Sequence, residues 1–216
     1  MARTLILARH AESQWNAERR YQGRLENDLS AEGLLQAEAL RDHLASRPLT
    51  AIYTSPLRRA VQTAEIVAAG QSRLTTHDSR LTTRNELTDV DHGRWSSLTH
   101  EEVAKCWPEL SHQWRTKPGG VRFPGGESLT EVRGRALGFL DFVRHEHAEG
   151  QLLVISHGEI IQLLLLHFLD MKPDQLWTMP AGNCAISIVE DYDVPLIMAI
   201  NDNCHLDRVR SSRDAM

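Results

Sequence analysis

The residues best suited to do chemistry in this chain are the pair Arg9-His10, which ends an apolar run of Leu5, Ile6, Leu7 and Ala8. A buried strand that stops abruptly at two basic side chains delivers them to the rim of an open sheet, where α/β folds place their ligands. Taken alone, the pair could equally serve to solvate a strand end. Two later sites have the same form. A strand near 51–54 runs into Ser55-Pro56-Leu57-Arg58-Arg59, and one from Gln151 runs into Ser156-His157-Gly158 ahead of a helix. With parallel strands, the three ends meet on one edge and gather two arginines and two histidines beside helix N-termini. Such a cluster suits a dianionic phosphoryl group, because guanidinium forks match its oxygens and free helix N–H groups add positive charge.

The elements that position these residues follow from periodicity and punctuation. Ser30 predicts an N-cap, with Glu32 in the first turn, for a helix carrying Leu34, Ala37, Leu40 and Leu44 on one face and ended by Pro48. Ser55-Pro56 predicts a second helix with Pro at its first position, running to about Ala69 and burying Leu57, Val61, Ala64 and Val67 or Ala68. Residues 74–126 lose clear periodicity despite a capping box at Thr99 and Glu102, and are expected to form an irregular lid that sets specificity. Ser128 and Glu131 open a helix with Leu129, Val132, Ala136, Phe139, Leu140 and Val143 at helical spacing. A helix over 159–169 and strands near 184–190 and 196–201 close the chain. The alternation predicts an α/β fold, a three-layer α/β/α sandwich with a mostly parallel central sheet. Length fits one domain over 1–206, followed by a polar, flexible tail over 207–216.

Composition narrows the partners. Lys and Arg number 24 against 29 Asp and Glu, for a net charge of −5, so there is no footprint for nucleic acid or an anionic membrane and any positive field is local. The most apolar stretch, 160–169, is about half of the ~20 residues a bilayer span requires, and the N-terminus lacks signal-peptide features. Cys106, Cys184 and Cys204 are widely spaced, which speaks against a disulfide framework and for a reducing cytoplasm. No metal and no cofactor is expected: His145 and His147 do not share a helix face, and His92, His100 and His112 read as exposed loop residues, with contact to substrate as the alternative. Ser128 lacks the second glycine of a nucleophile elbow and reads as a cap. The expected partner is a small phosphorylated metabolite; a homodimer is an option the sequence leaves open.

An ordered set of motifs resembles the histidine phosphatase superfamily, which includes the cofactor-dependent phosphoglycerate mutases. It comprises Arg9-His10-Ala11-Glu12-Ser13, Thr54-Ser55-Pro56-Leu57-Arg58-Arg59-Ala60, Gln62-Thr63-Ala64, Pro124-Gly125-Gly126-Glu127-Ser128 and Ser156-His157-Gly158, with Asn201-Asp202 and His205 near the end. The resemblance covers nearly the whole chain. It implies that His10 is a nucleophile forming a phosphohistidine, that Arg9, Arg59 and His157 hold the phosphoryl oxygens, and that Asn16, Gln22, Gly23 and Glu86 are candidate substrate contacts. In physical terms the nucleophilic ring must be neutral at one nitrogen, with its other N–H on a fixed acceptor, expected to be a backbone carbonyl. Transition-state charge lies on the equatorial oxygens, so positioned cations do most of the work and no metal is obligatory.

The leaving alkoxide also needs a carboxylic acid. The family usually has Glu four residues before a glycine; counting back from Gly93 gives Asp89, one methylene shorter, with Glu86 as the competitor. Ala11 also departs from the family's usual glycine. The expected activity is that of a metal-independent phosphomonoesterase. Its alternatives are a phosphoglycerate mutase, for which Arg84, Arg94, Arg115 and Arg122 could read a carboxylate, and a phosphoprotein-binding module without turnover.

Overall fold

The structure, a computed structural model, describes residues 3–71, 81–207 and 209, so the expected tail lies almost wholly outside the described residues. Among the described residues six strands form one sheet: β1 (Arg3–Arg9), β2 (Leu49–Thr54), β3 (Leu81–Thr83), β4 (Gly150–Ser156), β5 (Ile186–Asp191) and β6 (Leu196–Asp202), in the order β3-β2-β4-β1-β5-β6. Strands β1 to β4 pair in parallel, and β5 runs antiparallel to both of its neighbours. Among the described residues the sheet is accompanied by the α-helices α1 (Gln14–Ala17), α2 (Ala31–Leu44), α3 (Arg58–Ala69), α4 (His100–Cys106), α5 (Pro108–Thr116), α6 (Leu129–Glu146) and α7 (Gly158–Phe168).

The central strands are buried on both faces, as expected of strands covered by helices on each side. Leu5, Leu7, Leu152 and Val154 point into a core shared with α6 and α7. Their neighbours Ile6, Ala8, Leu153 and Ile155 point the other way, into a core shared with α2 and α3. The result is the three-layer α/β/α sandwich. Each fully enclosed Leu, Ile or Val contributes about 1.5–3 kcal/mol, so the two cores supply the main force holding the strand ends in place. Among the described residues no helix is long and apolar enough to cross a membrane.

Helix α6 buries all six of the residues expected of it, behind the Ser128–Glu131 capping box. Three other expectations need correction. On α2, Leu34 is exposed and Gly33 takes the inward position, because the helix runs so close to the β1–α1 loop that a Cβ at Gly33 would lie 1.9 Å from the Glu12 carbonyl oxygen. Helix α3 begins at Arg58 with Leu57 as its N-cap, so Pro56 precedes the helix; its buried face holds Arg59 and Thr63, while Val61 is only partly covered. That face looks toward the strand-end cluster as well as the core, which is why polar residues occupy it.

The third correction concerns the supposed irregular lid. Its described part carries α4 and α5 and plants Leu87, Val90, Trp95, Val103, Trp114, Val121 and Phe123 in the same core as α6 and α7. Short helices of seven and nine residues are too brief to show a period, and clustered aromatic rings obscure it further.

The Gly33 contact makes a direct test of how firmly the helical layer holds the β1 loop. Gly33→Ala forces a side-chain atom against backbone that has nowhere to move, and is expected to lower stability in urea by about 3 kcal/mol, the upper end of overpacking costs. An unchanged urea midpoint would refute the close approach.

Candidate active site

Strands β1, β2 and β4 end at one edge of the sheet. Arg9 pairs in register with Ser156, which makes His10 and His157 the next residues out, with ring centroids 5.1 Å apart. The backbone at His10 is pinned from several sides. Its N–H donates to Ser156 O at 2.9 Å, and its carbonyl accepts from Asn183 Nδ2 at 2.9 Å. Ala11 N donates to Thr63 Oγ1 at 3.0 Å, and that hydroxyl donates on to the Arg59 carbonyl at 2.7 Å.

The His10 side chain meets the requirements of a nucleophile. Nδ1 lies 2.7 Å from the Ala11 carbonyl oxygen, which can only accept, so Nδ1 carries the proton and the lone pair belongs to Nε2. Burial, and then the charges of Arg59 and Arg9, hold this ring well below the usual histidine range. It is therefore neutral around pH 7, as nucleophilic attack demands. His157 is lowered in the same way by burial, Arg59 and His10. Its Nε2–H donates to Ser55 Oγ at 2.8 Å, and its Nδ1 faces Arg59 at 3.4 Å.

Two guanidinium groups lie beside these rings. Arg59 is wholly enclosed and donates to the carbonyls of Gly23 (2.8 Å) and Leu25 (3.0 Å) and to Asp89 Oδ2 (2.9 Å). Arg9 donates to the Ala181 carbonyl at 2.7 Å. Both keep a buried Nε–H with no hydrogen-bond partner among the described residues. Buried donors are almost always satisfied in folded proteins, and a phosphoryl oxygen is the acceptor these two suit.

Asp89 sits 2.9 Å from Arg59 and 3.6 Å from His157 Nδ1. Its segment is held by Arg135 of α6, which the sequence reading did not single out. Arg135 donates to the carbonyls of Glu86, Thr88 and Asp89 and to the Glu127 carboxylate, which also accepts from Asp91 N and Arg24. The two loops cross at Gly93 and Gly126, where a Cβ would come within 2.3 Å of the Pro124 and Asp91 carbonyl oxygens respectively. Glu86 turns elsewhere: its carboxylate pairs with Arg84 at 2.5 Å and does not line the cavity.

Above the rings lies a cavity of ≈ 450 Å³ lined by Arg9, His10, Asn16, Gln22, Asp89 and His157 among others. Asn16 Oδ1 is occupied by Ser13 N and Asn183 Nδ2, so its amide donors are turned to the cavity. Gln22 Oε1 likewise accepts from Ser13 Oγ and Asn27 Nδ2. Gly23 is not in the lining; at φ +55° it turns the chain so that its carbonyl meets Arg59. Of the four arginines considered for a carboxylate, only Arg115 lines the cavity, and Arg19, Arg20, Tyr21, Trp114, Trp177 and Glu159 join it. Arg84 lies over the Phe142 ring and Arg122 pairs with Glu131. Among the described residues, no cluster of three or more metal-ligating side chains is present.

Residues 5–202 match the family model of the histidine phosphatase superfamily (branch 1). The chain belongs to this family. Phosphoserine phosphatase 1 of Hydrogenobacter thermophilus is 36% identical over 203 residues, covering 94% of this chain and 93% of that relative. Phosphoglycerate mutase-like protein 4 of Arabidopsis thaliana is 31% identical over 162 residues, 74% of this chain and 68% of the relative. The solved structure of YhfR from Bacillus stearothermophilus superposes with a TM-score of 0.86 at 31% identity, covering 95% of this chain and all of that one. The ends of β1 and β4 bring Arg9, His10 and His157 to the cavity.

His92 departs from the expected exposed loop histidine. It is buried among Tyr21, Trp114 and Phe123, with neither ring nitrogen hydrogen-bonded among the described residues. Burial pushes it down to about 4. The unfolded chain, with His near 6.5, therefore binds more protons below that pH, and stability present above 6.5 is lost as pH falls toward 4. At ~1.4 kcal/mol per pH unit, His92→Phe is expected to remove about 2 kcal/mol of the loss between pH 6.5 and 5. Urea titrations of both proteins at the two pH values measure it; equal losses would contradict the buried neutral ring.

Proposed function

We propose that this protein is a phosphomonoesterase that hydrolyses a small phosphorylated metabolite through a phosphohistidine on His10, without a metal. The observation that carries this reading is the His10 ring, its Nδ1–H tied to the Ala11 carbonyl and its Nε2 without a hydrogen bond among the described residues, kept neutral by burial and by the charges of Arg59 and Arg9, both of which hold an unpartnered Nε–H.

In the first displacement, Nε2 attacks phosphorus, an N–P bond forms and the ester P–O bond breaks. Arg9 and Arg59 hold the equatorial oxygens through both steps, with Asn16 and Gln22 adding neutral donors, which is where transition-state charge accumulates. Asp89 gives its proton to the departing alkoxide. In the second displacement, water gives a proton back to Asp89 and attacks phosphorus, the N–P bond breaks, and His10 leaves neutral with inorganic phosphate released. Glu86, paired with Arg84 outside the cavity, is the weaker candidate for this proton.

The substrate class follows from the upper cavity. Arg19 and Arg115 line it, and a carboxylate is the group that such side chains take in a small metabolite. The similarity to a protein named phosphoserine phosphatase supports the same class. A second reading, transfer of the phosphoryl group back to another hydroxyl of the substrate, is supported by the likeness to a phosphoglycerate mutase-like protein. The two share the first displacement and differ in what meets the phosphohistidine.

Hydrolysis of p-nitrophenyl phosphate is expected to persist in EDTA, and His10→Ala to reduce it at least ~1000-fold; retained turnover in that variant would sink the mechanism. Conversion of 3- to 2-phosphoglycerate faster than phosphate release would favour the mutase. For the proton donor, Asp89→Asn is expected to slow an alkyl ester such as O-phosphoserine by roughly 100-fold or more, the usual worth of general acid catalysis, and p-nitrophenyl phosphate far less. Equal losses on both esters would remove Asp89 from that role.

A further inference from the structure

Glu159 lines the cavity and has no part in the mechanism above. It stands in the first turn of α7, two residues beyond His157, and is separated from it by Gly158, whose Cβ position lies 3.8 Å from the Arg9 guanidinium carbon. Among the described residues its carboxylate forms no ion pair with any cationic side chain. The charges of Arg9 and Arg59 reach it, but their hydrogen bonds go to the Ala181 carbonyl and to Asp89. Glu159 is partly exposed to the cavity, and an acidic side chain placed there with no cation paired to it is a group that a ligand's positive charge can match. Burial, and then the charge of Asp89, push Glu159 up to about 7. Tyr21, on the same cavity wall, is raised to about 12 by burial and by the charge of Glu159.

The cavity lining thus combines Arg9, beside which Gly158 and Glu159 open α7, with an acidic group (Glu159) and two further cations, Arg19 and Arg115. A ligand complementary to that set of charges carries a phosphate, an ammonium and a carboxylate. We propose that Glu159 is a specificity-determining residue that receives an ammonium group carried by the substrate close to its phosphate ester, which narrows the substrates to phosphorylated amino acids and amino alcohols. The proposal rests on the phosphomonoesterase reading. An ammonium seated there restores the missing charge pair and stabilises the ionised carboxylate.

O-Phosphoserine and 3-phosphoglycerate differ at one position, ammonium against hydroxyl, and so isolate this contact. For the unaltered protein, kcat/KM is expected to favour O-phosphoserine at least ~10-fold, the usual scale of a charge-assisted hydrogen bond. Glu159→Gln is expected to bring the ratio near one, chiefly by raising KM for O-phosphoserine, and Glu159→Asp to restore part of it. Both esters are read on one preparation, so partial misfolding cancels from the ratio. A ratio unchanged in Glu159→Gln, or an equal fall in kcat on both esters, which is the behaviour of a proton donor, overturns the proposal. If the unaltered protein cleaves p-nitrophenyl phosphate yet shows no preference for the ammonium ester, this inference fails and the phosphatase reading stands. Release of phosphate from none of the three esters overturns both.

Discussion

A guanidinium cut off from water governs the architecture of this site. Arg59 is fully enclosed, and an isolated buried charge costs several kcal/mol unless it is paired and hydrogen-bonded. Its partners come from regions far apart in sequence: the carbonyls of Gly23 and Leu25, and the carboxylate of Asp89. The loop after α1 needs the left-handed turn at Gly23 to present one of those carbonyls. The Asp89 segment needs Arg135 to hold it in reach. Satisfying Arg59 therefore organises two loops, and the same charge helps to keep His10 and His157 unprotonated.

Much of this was legible in the chain, because strand ends announce themselves. The apolar run before Arg9-His10 and the one before Ser156-His157-Gly158 each contain residues for both cores, the pattern of strands buried on two faces. Capping boxes at Thr99 and Ser128 were equally plain, since a side chain three residues from its partner is a local signal. What stayed hidden was long-range. Arg135 lies among ordinary helix residues, and its bonds to three carbonyls some 46 to 49 positions away leave no mark on local pattern. Asn183, which holds His10 and Asn16 together, is likewise invisible until β5 is folded against β1.

The segment before α6 shows why loss of periodicity is a poor guide to looseness. Trp95, Trp114 and Phe123 stack edge to face with centroids 5.0 to 5.1 Å apart for the two pairs that share Phe123, and they are buried as deeply as the sheet residues. Aromatic side chains can fill a core from short helices and turns, with no repeating register to betray them. The wall of the cavity is consequently packed into the core where an irregular segment was expected, and its shape joins its charges in facing a ligand.

The parallel register that sets Arg9 opposite Ser156 ties the chemistry to the order of the sheet. Side chains on a strand alternate in direction, so sliding β1 by a single residue past β4 would turn His10 toward the opposite layer and move it away from His157. Insertions of one residue inside β1 or β4 are thus silent for composition but fatal for turnover, whereas length changes in the turns leave the pairing intact. Turnover itself becomes a reporter of strand alignment: a population that has collapsed into a near-native but slipped sheet would keep its helices and its compactness while reading as chemically dead.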